Sequence, residues 1–132
     1  MSRFPDCFPD DVEEQIEKAG GKYQRIENVF RILRYGELDR DAFLCTYEEN
    51  KRRNVRRVNK PNINTYSTSC FSRREAITEC LKVSFKGFPA ACVAIGTIDP
   101  SCGPASDPNA NCHINWWVFK DAHPEDYFRK DS

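Results

Sequence analysis

Both histidines and both tryptophans of this chain fall in one eleven-residue window, His113 to His123, and two of the seven cysteines, Cys102 and Cys112, stand just ahead of it. Imidazole, indole and thiol are the scarcest and chemically richest side chains here, so a site is sought first in this window. Cys102, Cys112, His113 and His123 are ligand types that zinc prefers. Their spacing argues against a structural zinc site. Such sites usually draw on a close cysteine knuckle, whereas nine residues separate Cys102 from Cys112. Adjacent Cys112 and His113 would also point to opposite faces of a strand, so no bound metal is expected. The window reads instead as a strand whose Trp116 and Trp117 straddle a sheet. One tryptophan would fill the core, and the other, with His113, would edge a ligand groove. His123, before Pro124, reads as a solvated turn residue.

A second pattern is Tyr66-Ser67-Thr68-Ser69, preceded by Arg31 and Arg34 on a possible strand. An arginine on an early strand, an aromatic-Ser-Thr-Ser strand, a following helix and a later apolar strand resemble ADP-ribosyltransferase domains of the arginine–serine–glutamate type. The resemblance implies that Arg31 holds the phosphates of NAD, a task suited to a planar fork of donors. It also implies that Ser67, Thr68 and Ser69 brace the nicotinamide ribose pocket, and that a late glutamate is catalytic. In the last third only Glu125 is available for that place, and no Glu-x-Glu pair occurs. The implied protein is a transferase or a degenerate relative that binds a dinucleotide without turnover. Other nucleophile signatures are absent: there is no G-x-S-x-G elbow, P-loop glycine pattern or H-E-x-x-H. A Cys–His dyad joining Cys70 or Cys112 to His113 is conceivable, but nothing in the sequence places the thiol beside the imidazole.

The third candidate is Lys51-Arg-Arg-Asn-Val-Arg-Arg-Val-Asn-Lys60, six cations in ten residues. The net charge of zero conceals the segregation that surrounds it. Residues 1–50 carry −5, residues 51–86 carry +8 and residues 87–132 carry −3. A basic block between acidic flanks can hold phosphates, nucleic acid or an acidic protein partner. It can equally pair with the acids of its own N-terminal third, such as Glu13, Glu14 and Glu17. Arg52, Arg53, Arg56, Arg57 and Tyr66 are the binding residues this block would offer.

These side chains need a frame. The length of 132 residues suits one domain, residues 1–132, with a core large enough to need neither metal nor disulfide. No apolar run approaches a membrane span and the N-terminus has no secretory pattern, so the expected address is the cytoplasm with free thiols. Cys45, Cys80 and Cys92 lie in apolar patterns and read as buried small hydrophobes, whereas the surroundings of Cys102 and Cys112 do not suggest burial. Residues 10–21 read as a short helix closed by a glycine pair. Residues 24–35 fit either a helix or, over Val29–Leu33, a strand with arginine on one face. Asp39 reads as the N-cap of a helix through about Asn50.

Residues 65–71 alternate like a strand, and Ser72-Arg-Arg-Glu75 reads as a capping box opening a helix with Ala76, Ile77, Cys80 and Leu81 on one face. Residues 91–98 read as a buried strand, 99–111 as a loop, 113–119 as a strand, and 124–128 as a closing turn. The expected fold is therefore α+β, with a helical first half and a largely antiparallel sheet in the second half, crossed by the helix at 73–83. The expected function is a small binding or accessory protein that holds an acidic partner, nucleic acid or a phosphorylated ligand. It would use the basic segment and the Trp-containing strand. The ADP-ribosyltransferase-like reading stands as the alternative.

Overall fold

The computed structural model describes residues 2–54 and 61–131, so Arg56 and Arg57 lie outside the described residues. In chain order the elements are α1 (Val12–Lys18), β1 (Ile26–Leu33), α2 (Thr46–Arg52), β2 (Thr68–Phe71), α3 (Arg74–Val83), β3 (Cys92–Ile98), β4 (His113–Trp116) and β5 (Phe128–Lys130). Short 3-10 turns fall at Arg40–Phe43, Ile63–Tyr66, Pro100–Cys102 and Pro124–Tyr127. The strands form one antiparallel sheet in the order β4-β2-β1-β3-β5. The α+β class and the antiparallel sheet match the sequence expectation. Of the two readings open for residues 24–35, the strand is the one adopted.

β1 is the central strand, which explains the ambiguity. Its two faces are both covered, so apolar residues occur on consecutive positions and mimic helical spacing. Val29 and Leu33 enter a core with Cys70, Ala94, Ile114 and Trp116. Phe30 and Ile32 face the other way, toward Ile77, Cys80 and Leu81 of α3. β1 and β3 pair from Ile26↔Ile98 to Leu33↔Cys92, interrupted by a bulge at which Asn28 takes a left-handed φ of 58°. By contrast, β1 and β2 share one paired position, Phe30↔Phe71. Past that pair the two strands diverge.

Several local expectations are revised by contacts the chain makes at a distance. Asp39 does cap, accepting from Ala42 N–H at 3.0 Å, but it opens a 3-10 turn. The chain then extends at Leu44 before α2 begins. α2 opens on a capping box in which Cys45 Sγ faces Glu48 N–H at 3.5 Å and Glu48 Oε1 accepts from Cys45 N–H at 3.2 Å. The box expected at Ser72–Glu75 does not form. Ser72 N–H donates to the Cys112 carbonyl, prolonging the β2 edge, and extended Arg73 is the cap residue with no side-chain bond.

Trp116 and Trp117 do straddle the sheet, but neither edges a groove, because both are fully buried. Trp116 belongs to the β-sheet core. Trp117 lies in a second core built by Phe4, Phe8, Val12, Ile16, Cys45 and Phe119. The N-terminal segment and α1 thus cover the face that the sequence left open. Their indoles donate to backbone carbonyls, Trp116 to Gly103 at 3.2 Å and Trp117 to Ile63 at 2.9 Å. Cys102, expected to stand outside the core, is also buried.

Candidate functional site: an arginine-lined groove

The divergence of β1 from β2 opens a groove bounded by α2 and the end of α3. Two adjoining hollows of about 240 and 230 Å³ share Arg31, Ile32, Arg34, Glu49 and Phe85. The first also meets Glu37, Asp39, Asp41 and Arg52, so its charges are mixed. In the second, Arg31, Arg34 and Arg53 face a single carboxylate, Glu49, among the described residues. Ser69, Thr46 and Ser84 add hydroxyls, and Leu44, Phe71 and Phe85 add apolar wall.

Arg31 is the innermost cation. It starts on the core face of β1, between Val29 and Leu33, and its guanidinium fills the place where the β1–β2 ladder stops. Nη1 donates to the Ser69 carbonyl at 2.8 Å and Nε to the Ala42 carbonyl at 3.0 Å. The fork thereby ties β2 and the 3-10 turn before α2 to the central strand. Among the described residues no carboxylate lies within ion-pair distance of it. Burial is the chief cause that lowers its pKa. An arginine still keeps its proton, so the guanidinium remains a cation in a desolvated place.

Arg34 is better served. Its Nε stands 3.2 Å from Glu49 Oε1, and its guanidinium lies 4.6 Å from the ring centres of both Phe85 and Phe88. Arg53 approaches Phe88 at 5.1 Å. Burial first, then the charge of Arg53, lowers the Arg34 pKa. Two like charges are thus gathered against one aromatic ring, an arrangement an anion would relieve. Arg52, exposed beside them, pairs with Asp41 at 2.9 Å. Among the described residues neither Arg52 nor Arg53 pairs with Glu13, Glu14 or Glu17; Glu14 pairs with Lys18 of its own helix.

Ser69 brings a further residue to the groove. Its hydroxyl lies 2.8 Å from His113 Nε2, across the β2–β4 ladder. His113 is partly buried, and burial followed by the Arg31 charge lowers its pKa, favouring the neutral imidazole. Its ring packs edge-on to Phe71 at 5.4 Å. Asn109 Oδ1 accepts the His113 N–H at 3.0 Å, and the His113 carbonyl accepts from Asn109 N–H at the same distance. The sequence offered Cys70 or Cys112 as dyad partners for His113 but nothing that would place either thiol beside the imidazole. Cys70 is on the opposite face of β2, fully buried, with its thiol pushed up to about 12 by burial. Alternation along Ser67, Ser69 and Phe71 was the available signal for the serine. The strand pairing that brings His113 to it was not legible.

The other candidates are dispersed. Ser67 Oγ lies 2.8 Å from both the Asn64 carbonyl and Asn115 Oδ1, outside both hollows. Thr68 Oγ1 donates to the Phe43 carbonyl at 2.8 Å, and Tyr66 stacks near Tyr47 and Phe8. Glu125 accompanies exposed His123 at 3.3 Å in the turn before β5. Arg31, Ser67 and Glu125 therefore do not line a common cavity. Nor do Cys102, Cys112, His113 and His123 converge; among the described residues no group of three or more His, Cys, Asp or Glu is placed to hold a metal ion. Among the same residues no helix is long and apolar enough to cross a membrane. No family model, curated protein or solved structure matches this chain.

Proposed function

We propose that this chain is a binding protein of the cytoplasm that holds a phosphorylated ligand in the groove between β1, α2 and α3. Arg31 is the innermost contact, and Arg34 and Arg53 close around the outer oxygens. The observation that carries this reading is the charge of the second hollow, three guanidinium groups against one carboxylate. Planar guanidinium forks match phosphate oxygens and gain most where water is scarce. The apolar wall of Leu44, Phe71 and Phe85 suits an organic portion beside the phosphate. The basic segment contributes through Arg53, whereas the Trp-containing strand contributes architecture and, through His113, a group behind Ser69.

A dinucleotide such as NAD falls within this ligand class. Arg31 and Ser69 sharing one hollow favours it, while Ser67 and Glu125 lying outside speaks against a transferase arrangement. Calorimetric titration with pyrophosphate, ADP, NAD and a single-stranded RNA, each at two salt concentrations, tests the proposal. Pyrophosphate and ADP should bind, and the double variant Arg34→Gln/Arg53→Gln should weaken both by about tenfold or more, at one to two charge-assisted bonds lost. Equal binding by wild type and variant overturns the reading. Binding of RNA alone, with a steep salt dependence, would replace a small ligand with a nucleic acid.

A further inference from the structure

The geometry points to Ser69 as a nucleophile that accepts a phosphoryl group in this groove, with His113 as its base and Arg31 as the cation beside the reacting phosphorus. This inference rests on the phosphate-binding reading above and adds a reaction to it. Three observations meet at one residue. Ser69 Oγ stands 2.8 Å from His113 Nε2, the separation a general base needs. Ser69 lines the hollow that holds the three arginines. Arg31 Nη1 is bonded at 2.8 Å to the carbonyl of Ser69 itself, so a guanidinium is anchored to the residue that would attack.

The surroundings fix this pair. Asn109 bonds both the N–H and the carbonyl of His113, and the Phe71 ring packs edge-on against the imidazole. Burial first, and then the charge of Arg31 among the described residues, favours the neutral form of the imidazole. In the neutral tautomer that carries its proton on Nδ1, Nε2 is the acceptor that a serine hydroxyl requires. A phosphoryl group in transfer spreads negative charge over three equatorial oxygens, which three guanidiniums fit better than they would the single oxyanion of an acyl transfer.

The step balances as follows. Ser69 Oγ attacks phosphorus, its proton passes to His113 Nε2, the Oγ–P bond forms and the bond from phosphorus to the leaving oxygen breaks. In-line displacement sends that oxygen away from Oγ and therefore away from His113. The substrate class is accordingly one whose leaving group departs as an anion, an acyl phosphate or a phosphoanhydride. Hydrolysis reverses the roles. Water attacks the phosphoserine, the P–Oγ bond breaks, His113 returns its proton to departing Oγ, and phosphate leaves as dihydrogen phosphate carrying both water protons.

Acetyl phosphate is the probe. Wild-type protein incubated with it and mapped by mass spectrometry should carry one phosphoryl group on Ser69, and Ser69→Ala should carry none. His113→Gln keeps the fold's polar contact but supplies no base, and should slow labelling by about a hundredfold, within the range of general-base contributions. The labelling rate of wild type should fall at acid pH as His113 takes its proton, while that of His113→Gln should not follow this profile. An acetyl group on Ser69, phosphorylation at other serines in its place, or unchanged labelling in His113→Gln overturns the inference. Pyrophosphate titration of the same samples separates the two readings. Binding without Ser69 labelling refutes the nucleophile and leaves the groove intact, whereas no binding refutes both.

Discussion

Replacing Arg31 with methionine removes the guanidinium from the gap between β1 and β2 while retaining much of the apolar stem. Two carbonyls, Ala42 and Ser69, lose the guanidinium donors that reach them at 3.0 and 2.8 Å. An acceptor left buried and unpaired costs about 1–3 kcal/mol. Two of them would set a ceiling near 6 kcal/mol, but each opens onto a hollow that admits water, and the buried cation's own desolvation cost is recovered. A net loss of about 2–3 kcal/mol follows from these opposing terms. For a domain of this size that corresponds to a fall in Tm of roughly 6–12 °C. Arg31→Lys should fall between the two, because one ammonium cannot reach both carbonyls as a fork does. Urea unfolding with the slope held free, together with thermal melts, measures this. If Arg31→Met is as stable as wild type, the guanidinium does not tie β2 to the turn before α2. If Arg31→Lys matches wild type, fork geometry is not what matters.

Three other outcomes are expected. Because the folded His113 pKa is depressed, the unfolded chain binds the extra proton first. The associated stability is therefore intact above the unfolded histidine value of about 6.5 and is lost as pH falls from there through the folded pKa. Urea midpoints between about pH 7.5 and 5.5 should drop more for wild type than for His113→Gln, and parallel curves would refute the assignment. Gly103→Ala should destabilise by about 2 kcal/mol or more, read by thermal melting, because φ is +133° and an added Cβ would strike the Trp117 carbonyl. Wild-type stability in that variant would sink the argument. Folded Cys70 should resist a thiol-directed reagent until the protein unfolds, since it is fully buried and its thiol is pushed up to about 12. Modification at the rate of a free thiol would contradict this.

Much of the scaffold was legible where pattern and packing agree within a few residues. The apolar run at 91–98 is β3 almost to the residue, and Ile77, Cys80 and Leu81 share the face that α3 turns to the sheet. Asp39 caps as its side chain predicts. The alternation of His113, Ile114, Asn115 and Trp116 sets two residues inward and two toward β2's polar face. These features depend on side-chain period, turn chemistry and short-range hydrogen bonds, which the order of residues specifies directly.

The remainder depended on elements far apart in sequence. Trp117 reads as a groove wall until Phe4, Phe8 and α1 fold over it. Ser72 reads as a cap until the Cys112 carbonyl takes its N–H. Arg31, Arg34, Glu49, Arg53, Ser69 and Phe85 come from β1, the chain just beyond it, α2 and its C-cap, β2 and the segment after α3, and no local spacing relates them. The chemistry-rich window at 113–123 shows the same division. Residue order correctly set its two faces, but only strand pairing joined His113 to Ser69, and only the second core closed over Trp117. Side-chain alternation is a property of one strand, whereas what each face meets is decided by burial and register between segments.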